Sequence, residues 1–321
     1  MNKLSIVVPC YNEEQALGYT NVELTQIINK LVESGKIHKA SFILYVDDGS
    51  KDNTWNIIEG FRKQYPFIFG LKLARNVGHQ NALTAGLLAA MKHADMVISI
   101  DADLQDDVSV MEQMVDRYRE GVEIVYGVRN RRDTDTLFKR STAIGFYKLM
   151  RLMKIDIVYN HADYRLLSKK VLEQFALYPE RNLFLRGIIP SIGFSSAIVK
   201  YDRKSRIAGK SKYPLSKMFA MAFDGITSFS IQPIRMIAIL GLIIVLCSIC
   251  AAIYAFYSYI TGKVVAGWTS TILSIWFIGG VQLLSLGLIG TYVGKIYTEV
   301  KGRPRYVIER NDLTEIEHEE R

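Results

Sequence analysis

The 321-residue chain has only three cysteines, Cys10, Cys247 and Cys250. So few exclude a disulfide framework. Cys247 and Cys250 have C-x-x-C spacing, but they sit in an apolar run with no His and no second Cys pair nearby. That argues against a zinc or redox centre and for small, polarizable packing residues. Neither a G-x-G-x-x-G fingerprint nor a Walker A loop occurs, so any nucleotide is held by another scheme. Repeats and low-complexity tracts are missing. The start, "MNKLSIVVPCYNEE", lacks a cleavage-site pattern, which predicts a cytosolic location for the soluble part. Charge is missing from two long runs. Met236–Gly262 and Val264–Gly294 contain no Asp, Glu, Lys or Arg, and only Lys263 separates them. Each run is long enough to cross about 30 Å of hydrocarbon as a helix.

What is present divides the chain. Residues 1–213 read as a soluble α/β domain, 214–232 as an amphipathic helix at a membrane interface, 233–295 as a transmembrane hairpin and 296–321 as a short, mobile cytosolic tail. The net charge is +8. Nucleic acid and membrane both suit a basic protein. The membrane reading is preferred, because Lys200, Arg203, Lys204, Arg206, Lys210, Lys212 and Lys217 crowd the approach to the first apolar run. A plain solvated basic face is the bland alternative. Leu215, Met218, Phe219, Ala222, Phe223, Ile226 and Phe229 recur at helical spacing, as on a helix lying in the interface or packed at a domain edge. Arg235 precedes the first span, and Lys295, Lys301, Arg303 and Arg305 follow the second. The positive-inside rule then puts both ends in the cytosol. Gly290 and Gly294 have the G-x-x-x-G spacing of close helix contacts.

From Leu4 to Arg129, short β-branched apolar runs alternate with amphipathic segments. This pattern predicts a mostly parallel, Rossmann-like sheet wrapped by helices. Ligands of such sheets bind beyond the carboxyl ends of the strands. Polar clusters fall at those ends: "YNEE" after the first strand, which Pro9 is expected to stop, then "DDGS", "RNVGH" and "DADLQDD". Further on, "ADYRLLSKKVLEQF" reads as a turn at Asp163 followed by a helix.

Asp101 and Asp103 are two residues apart, so extended backbone would point both carboxylates to one side. Two carboxylates suit a hard cation, Mg²⁺ or Mn²⁺, that also takes substrate phosphates. Asp106 and Asp107 are better placed to cap the helix that starts near Val108. Asp47 and Asp48 can bond a ribose or base, or merely shape a turn.

The ordered set "SIVVPCYNEE", "VDDGSKDNT", "RNVGHQNALTAG", "DADLQDD" and "ADYRLLS" resembles family 2 glycosyltransferases of the GT-A fold. "RIAGKSKY" and the paired apolar runs resemble the polyprenyl-phosphate branch, which includes bactoprenol glucosyltransferases and dolichol-phosphate mannose synthases. The resemblance spans nearly the whole chain. It implies that Asp101 and Asp103 hold the metal on the donor diphosphate, with Gln105 beside them and Asp103 counted in the catalytic set. It places Pro9, Tyr11, Asn12, Glu13, Asp47 or Asp48, Arg75 and Asn76 along the nucleotide-sugar edge. Asp163 matches the acidic residue near the acceptor, which is usually assigned as the catalytic base. Arg206, Lys210 and Lys212 match a basic loop over both sets of phosphates, and Arg129 and Arg131 are further phosphate ligands.

The implied reaction moves a sugar, glucose or N-acetylglucosamine, from a UDP-sugar to undecaprenyl phosphate. The setting is the cytosolic face of the plasma membrane, for cell-envelope glycan modification. Partners are thus a nucleotide sugar, a polyprenyl-phosphate lipid, the membrane and further copies of the chain, since members of this layout assemble as tetramers; nucleic acid is not among them. The alternatives are a GDP-mannose-dependent synthase of the same branch and a non-catalytic scaffold. The absent Q-x-x-R-W signature and the presence of only two apolar spans argue against a processive polymerase.

Overall fold

A computed structural model describes residues 1–130, 161–181, 184–202, 223, 226–227, 230–261 and 267–314. The chain divides into two compact units, one comprising residues 1–147, 156–213 and 303–321, the other residues 148–155 and 214–302.

The first unit is built on an eight-stranded sheet with the order β7-β5-β6-β4-β1-β2-β3-β8. Its centre holds β1 (Leu4–Cys10), β2 (Phe42–Asp47), β3 (Ile68–Leu73) and β4 (Met96–Ser99), which lie in the order β4-β1-β2-β3 and are parallel to one another. These strands are mostly apolar and buried because both faces are covered. Helices α1 (Leu17–Glu33), α2 (Thr54–Gln64), α3 (His79–Ala90) and α4 (Met111–Arg119) supply the cover. Gly86 of α3 shows how close the packing is: a Cβ there would meet Val7 and Val46 side chains at 2.5 and 2.6 Å.

Pro9 does not stop β1, which runs on to Cys10. Cys10 O accepts from Asp48 N on the β2 side, and Val7 O accepts from Ile100 N on the β4 side. Odd residues of β1 therefore face β4, whose pairing ends at Val7↔Ser99. Proline, which lacks an N–H, sits where no donor is needed.

Two further expectations are corrected. The "ADYRLLS" segment is not a turn entering a helix. It lies in β6 (His161–Ser168), antiparallel to both β4 and β5 (Ile124–Arg129), and α5 (Lys169–Ala176) starts only after Ser168. Tyr164 and Leu166 face the main core while Arg165 is buried on the other side. A strand buried on both faces shows no polar alternation, and an internal arginine imitates a surface helix. With β7 (Ser196–Tyr201) parallel to β5, the sheet is mixed. Short α6 (Leu185–Ser191) precedes β7.

The tail is the other correction. Ile308–Asn311 forms β8, antiparallel to β3, and Leu313 and Asp312 are buried. Asp312 accepts from Gly70 N and pairs with Arg62 and Arg310. A short charged strand at a sheet edge has no hydrophobic signature, so its pairing was not visible in the sequence.

The second unit contains α7 (Gln232–Ile260) and α8 (Trp268–Val300), two helices long and apolar enough to cross a membrane. Leu242, Leu246, Leu283 and Leu284 are among their exposed side chains. Tyr292 donates to Ser230 O at 2.6 Å within this unit. Of the expected interface helix, only Phe223, Ile226, Thr227 and the residues from Ser230 onward are described.

Candidate active site

The carboxyl ends of β1, β2 and β4 bring three of the polar clusters together. "YNEE" and "DDGSKDNT" interlock. Asn12 N donates to Ser50 Oγ, Asn12 Oδ1 accepts from Lys51 N at 2.8 Å, and Glu13 N donates to Thr54 Oγ1. Asn12 reaches this position with φ of 54°, a left-handed conformation that asparagine tolerates. Tyr11 is left exposed beside it.

Adjacent Asp47 and Asp48 have different fates. Asp48 accepts from Val77 N at 2.7 Å with one oxygen and from Gly78 N at 3.0 Å with the other. It thereby braces the loop that carries Arg75 and Asn76, so its oxygens are committed to the protein. Asp47 accepts from Ser50 N, while its Oδ2 is buried without a hydrogen-bond partner. Burial pushes both carboxyls above their ordinary pKa. An orphaned buried oxygen is costly unless a ligand satisfies it. Gly49 makes the arrangement possible: at φ of 66°, its Cβ position lies 2.6 Å from backbone atoms of Arg75 and Asn76.

Past β4, Asp101 lies 3.0 Å from His79 Nε2, and Asp103 accepts from Gln105 N. Burial raises the Asp101 carboxyl, but His79 outweighs burial and holds it below the usual range. Burial works against charge on His79 too, yet the bond to Asp101 pushes its pKa up to about 9. Leu104, with φ of 52°, turns the chain between Asp103 and Gln105.

Asp107 caps the following turn, a 3₁₀ turn at Val108–Val110, by accepting from Ser109 N. Asp106 does not cap. It is buried between Tyr201 Oη at 2.5 Å and Arg129 at 3.1 Å. Arg129, expected on phosphate, therefore has an internal carboxylate partner. Arg129 on β5 and Tyr201 on β7 lie far from Asp106 in the chain, which is why capping looked sufficient.

Asp163 in β6 meets two guanidiniums. Arg165 bonds its Oδ1, and Arg186 reaches Oδ1 and Oδ2 at 3.4 and 3.3 Å. Burial would raise the Asp163 pKa, but Arg186, Arg165 and His79 together hold it far below the carboxylate range. Ser99 Oγ donates to Asp163 O at 2.7 Å, tying this cluster to the end of β4. His79, Gln80, Arg165 and Arg186 were not singled out from the sequence. His79 and Arg165 lay inside quoted motifs, but Arg186 carries no local signal. Arg131, Arg206, Lys210 and Lys212 lie outside the described residues.

Among the described residues, no three His, Cys, Asp or Glu side chains cluster closely enough to hold a metal alone. Two carboxylates completed by substrate phosphate oxygens and water are a donor set that fits Mg²⁺ or Mn²⁺.

A strand-end set of acids on a mixed sheet, with no dinucleotide fingerprint, narrows the choice of family. The model of glycosyl transferase family 2 matches residues 5–175, from within β1 to within α5, a stretch that includes all these acids. The chain belongs to glycosyl transferase family 2. It is 55% identical over 306 residues to the uncharacterized glycosyltransferase YkoT of Bacillus subtilis, covering 95% of this chain and 91% of that one. It is 39% identical over 314 residues to the SfII prophage-derived bactoprenol glucosyl transferase of Shigella flexneri, covering 96% and 98%. Among solved structures, mannosyl-3-phosphoglycerate synthase from Rubrobacter xylanophilus shares the fold, with a TM-score of 0.50 at 17% identity over 70% of this chain and 72% of that one. The protein is thus a glycosyltransferase with a GT-A-like mixed sheet and two apolar C-terminal helices.

Proposed function

We propose that the protein transfers glucose from UDP-glucose to a polyprenyl phosphate, undecaprenyl phosphate in bacteria, with inversion at the anomeric carbon. The near end-to-end relation to bactoprenol glucosyl transferases carries this reading. The nucleoside lies along Tyr11, Asn12 and the orphaned Asp47 oxygen, which offers an acceptor to a base or ribose donor. Asp48 acts through the loop it braces, setting Arg75 and Asn76 at the rim.

Asp101 and Asp103 would hold the divalent cation, which neutralises charge on the leaving nucleotide diphosphate. His79 keeps Asp101 ionised. The acceptor phosphate, with a second pKa of about 6, is largely dianionic at neutral pH and needs little deprotonation. Asp163 stays ionised, but its oxygens are already shared by two guanidiniums, which makes it a poor base. Its role is to orient groups at the acceptor side.

The two apolar helices would anchor the protein in the membrane that holds the lipid tail. Both termini and the first unit are assigned to the cytosolic side. Residues 1–213 together with the returning strand form the catalytic domain of this reading.

One assay decides it. Purified full-length protein is incubated with undecaprenyl phosphate, Mg²⁺ or Mn²⁺ and a panel of UDP- and GDP-sugars, and the lipid product is weighed by mass spectrometry. A glucosyl lipid formed from UDP-glucose is the expected product. A lipid made only from another donor would replace glucose, and no lipid product with any donor would sink the reading.

A further inference from the structure

We propose that Arg186 is a ligand of the acceptor's phosphate, and that Asp163 is the positioning residue that holds its guanidinium in place. This rests on the transfer reading above. Arg165 is fully buried, and a buried guanidinium needs a counter-charge. Asp163 supplies one negative charge, which Arg165 alone would satisfy. Arg186 brings a second positive charge to the same carboxylate from the open side, with its side chain 39% exposed. Two guanidiniums thus share one carboxylate at the end of the sheet that receives two anionic substrates.

The backbone just before Arg186 is held on both sides of Leu185. Leu185 N donates to Gln80 Oε1 at 3.0 Å, and Leu185 O accepts from Arg165 at 3.4 Å. Gln80 follows His79, which meets Asp101. A chain of contacts from Asp101 through His79, Gln80 and Leu185 therefore fixes where Arg186 stands relative to the donor-side acids. The bonds from Arg186 to Asp163 are long, at 3.3 and 3.4 Å, so exchanging one for a phosphate oxygen sacrifices little. A planar guanidinium also matches a phosphate bidentately, which lysine does not.

The test uses the full-length protein in detergent or nanodiscs. Binding of a short-chain prenyl phosphate is measured without donor, beside the matching prenyl alcohol, and KM is measured separately for each substrate. Arg186→Ala should weaken prenyl phosphate binding about 10–100-fold, the range for lost charge-assisted hydrogen bonds, and leave prenyl alcohol binding and the KM for UDP-glucose unchanged. Arg186→Gln, similar in size but uncharged, should show the same loss, and Arg186→Lys a smaller one. Asp163→Asn should raise the acceptor KM in the same direction, and the double variant Asp163→Asn/Arg186→Ala should be no worse than Arg186→Ala alone. Unchanged phosphate binding in both Arg186→Ala and Arg186→Gln would overturn the proposal. So would a loss confined to the donor KM, or additive losses in the double variant. If the wild type moves no sugar to the lipid, the proposed function fails, while the binding arm still decides the role of Arg186.

Discussion

On the β1–β2–β3 side of the sheet, the buried carboxylate of Asp48 is held by backbone N–H groups, whereas on the β4–β6–β5 side Asp106 and Asp163 are held by guanidiniums. Their pKa directions show what each solution achieves. Peptide dipoles do not offset burial at Asp48, and its carboxyl stays above the ordinary value. A single arginine does not offset it at Asp106 either, where burial still dominates over Arg129. Two arginines and His79 do so at Asp163. The first side is therefore shaped by backbone donors in its loops, and the second by guanidiniums that reach its carboxylates from other strands and helices.

The largest expected effect separates the acids that serve substrate from those that serve the fold. Asp101→Asn should cut transfer on the order of 10³-fold, the scale for losing a principal electrostatic stabiliser, with little change in Tm. Titrating Mg²⁺ or Mn²⁺ in the assay checks it, and wild-type rates in this variant would erase the distinction.

Asp163→Asn should lower activity less than Asp101→Asn, and high pH should not restore it. Its stability effect has a definite sign. The folded pKa of Asp163 is depressed, so its contribution is complete above the ordinary carboxylate value and is lost as pH falls below it. The variant should thus be less stable at pH 7 by about 3 kcal/mol, as for broken buried ion pairs, and the gap should narrow below about pH 4. Thermal melts across pH measure this. A gap that widens in acid would contradict the guanidinium account.

Leu313→Ala probes the returning strand. Removing a fully buried leucine side chain should cost about 2–4 kcal/mol, and because β8 borders β3, the donor KM should rise modestly while the acceptor KM holds. Melting curves and paired KM measurements test both parts. The smallest effect belongs to Lys72→Ala. Its pair with Glu309 is surface-exposed, and such pairs contribute about 0–1 kcal/mol, so Tm and both KM values should barely move.

The positions of the candidate residues were legible in part: the alternating pattern told where strands end, and the structure does put Asp47, Asp101, Asp103 and the Asn12 loop at or just past the carboxyl ends of β1, β2 and β4. The partners of those acids were not legible. Asp106 looked like a cap because a helix was expected to start near Val108, while its actual partners, Arg129 and Tyr201, arrive from β5 and β7. Arg165 was not singled out, because one arginine among leucines has no periodicity to declare it buried.

The sequence by itself determined the alternating α/β domain, the acids at its strand ends and the two apolar runs, since these follow from local hydrophobic pattern and residue chemistry. The tertiary structure decided which oxygens remain for a ligand. It committed Asp48 to a loop and Asp106 to a buried clamp, set two guanidiniums on Asp163 and returned Ile308–Asn311 to the sheet edge. Charge compensation and strand pairing act between residues far apart in the chain. They therefore become definite only when the sheet has brought those residues together.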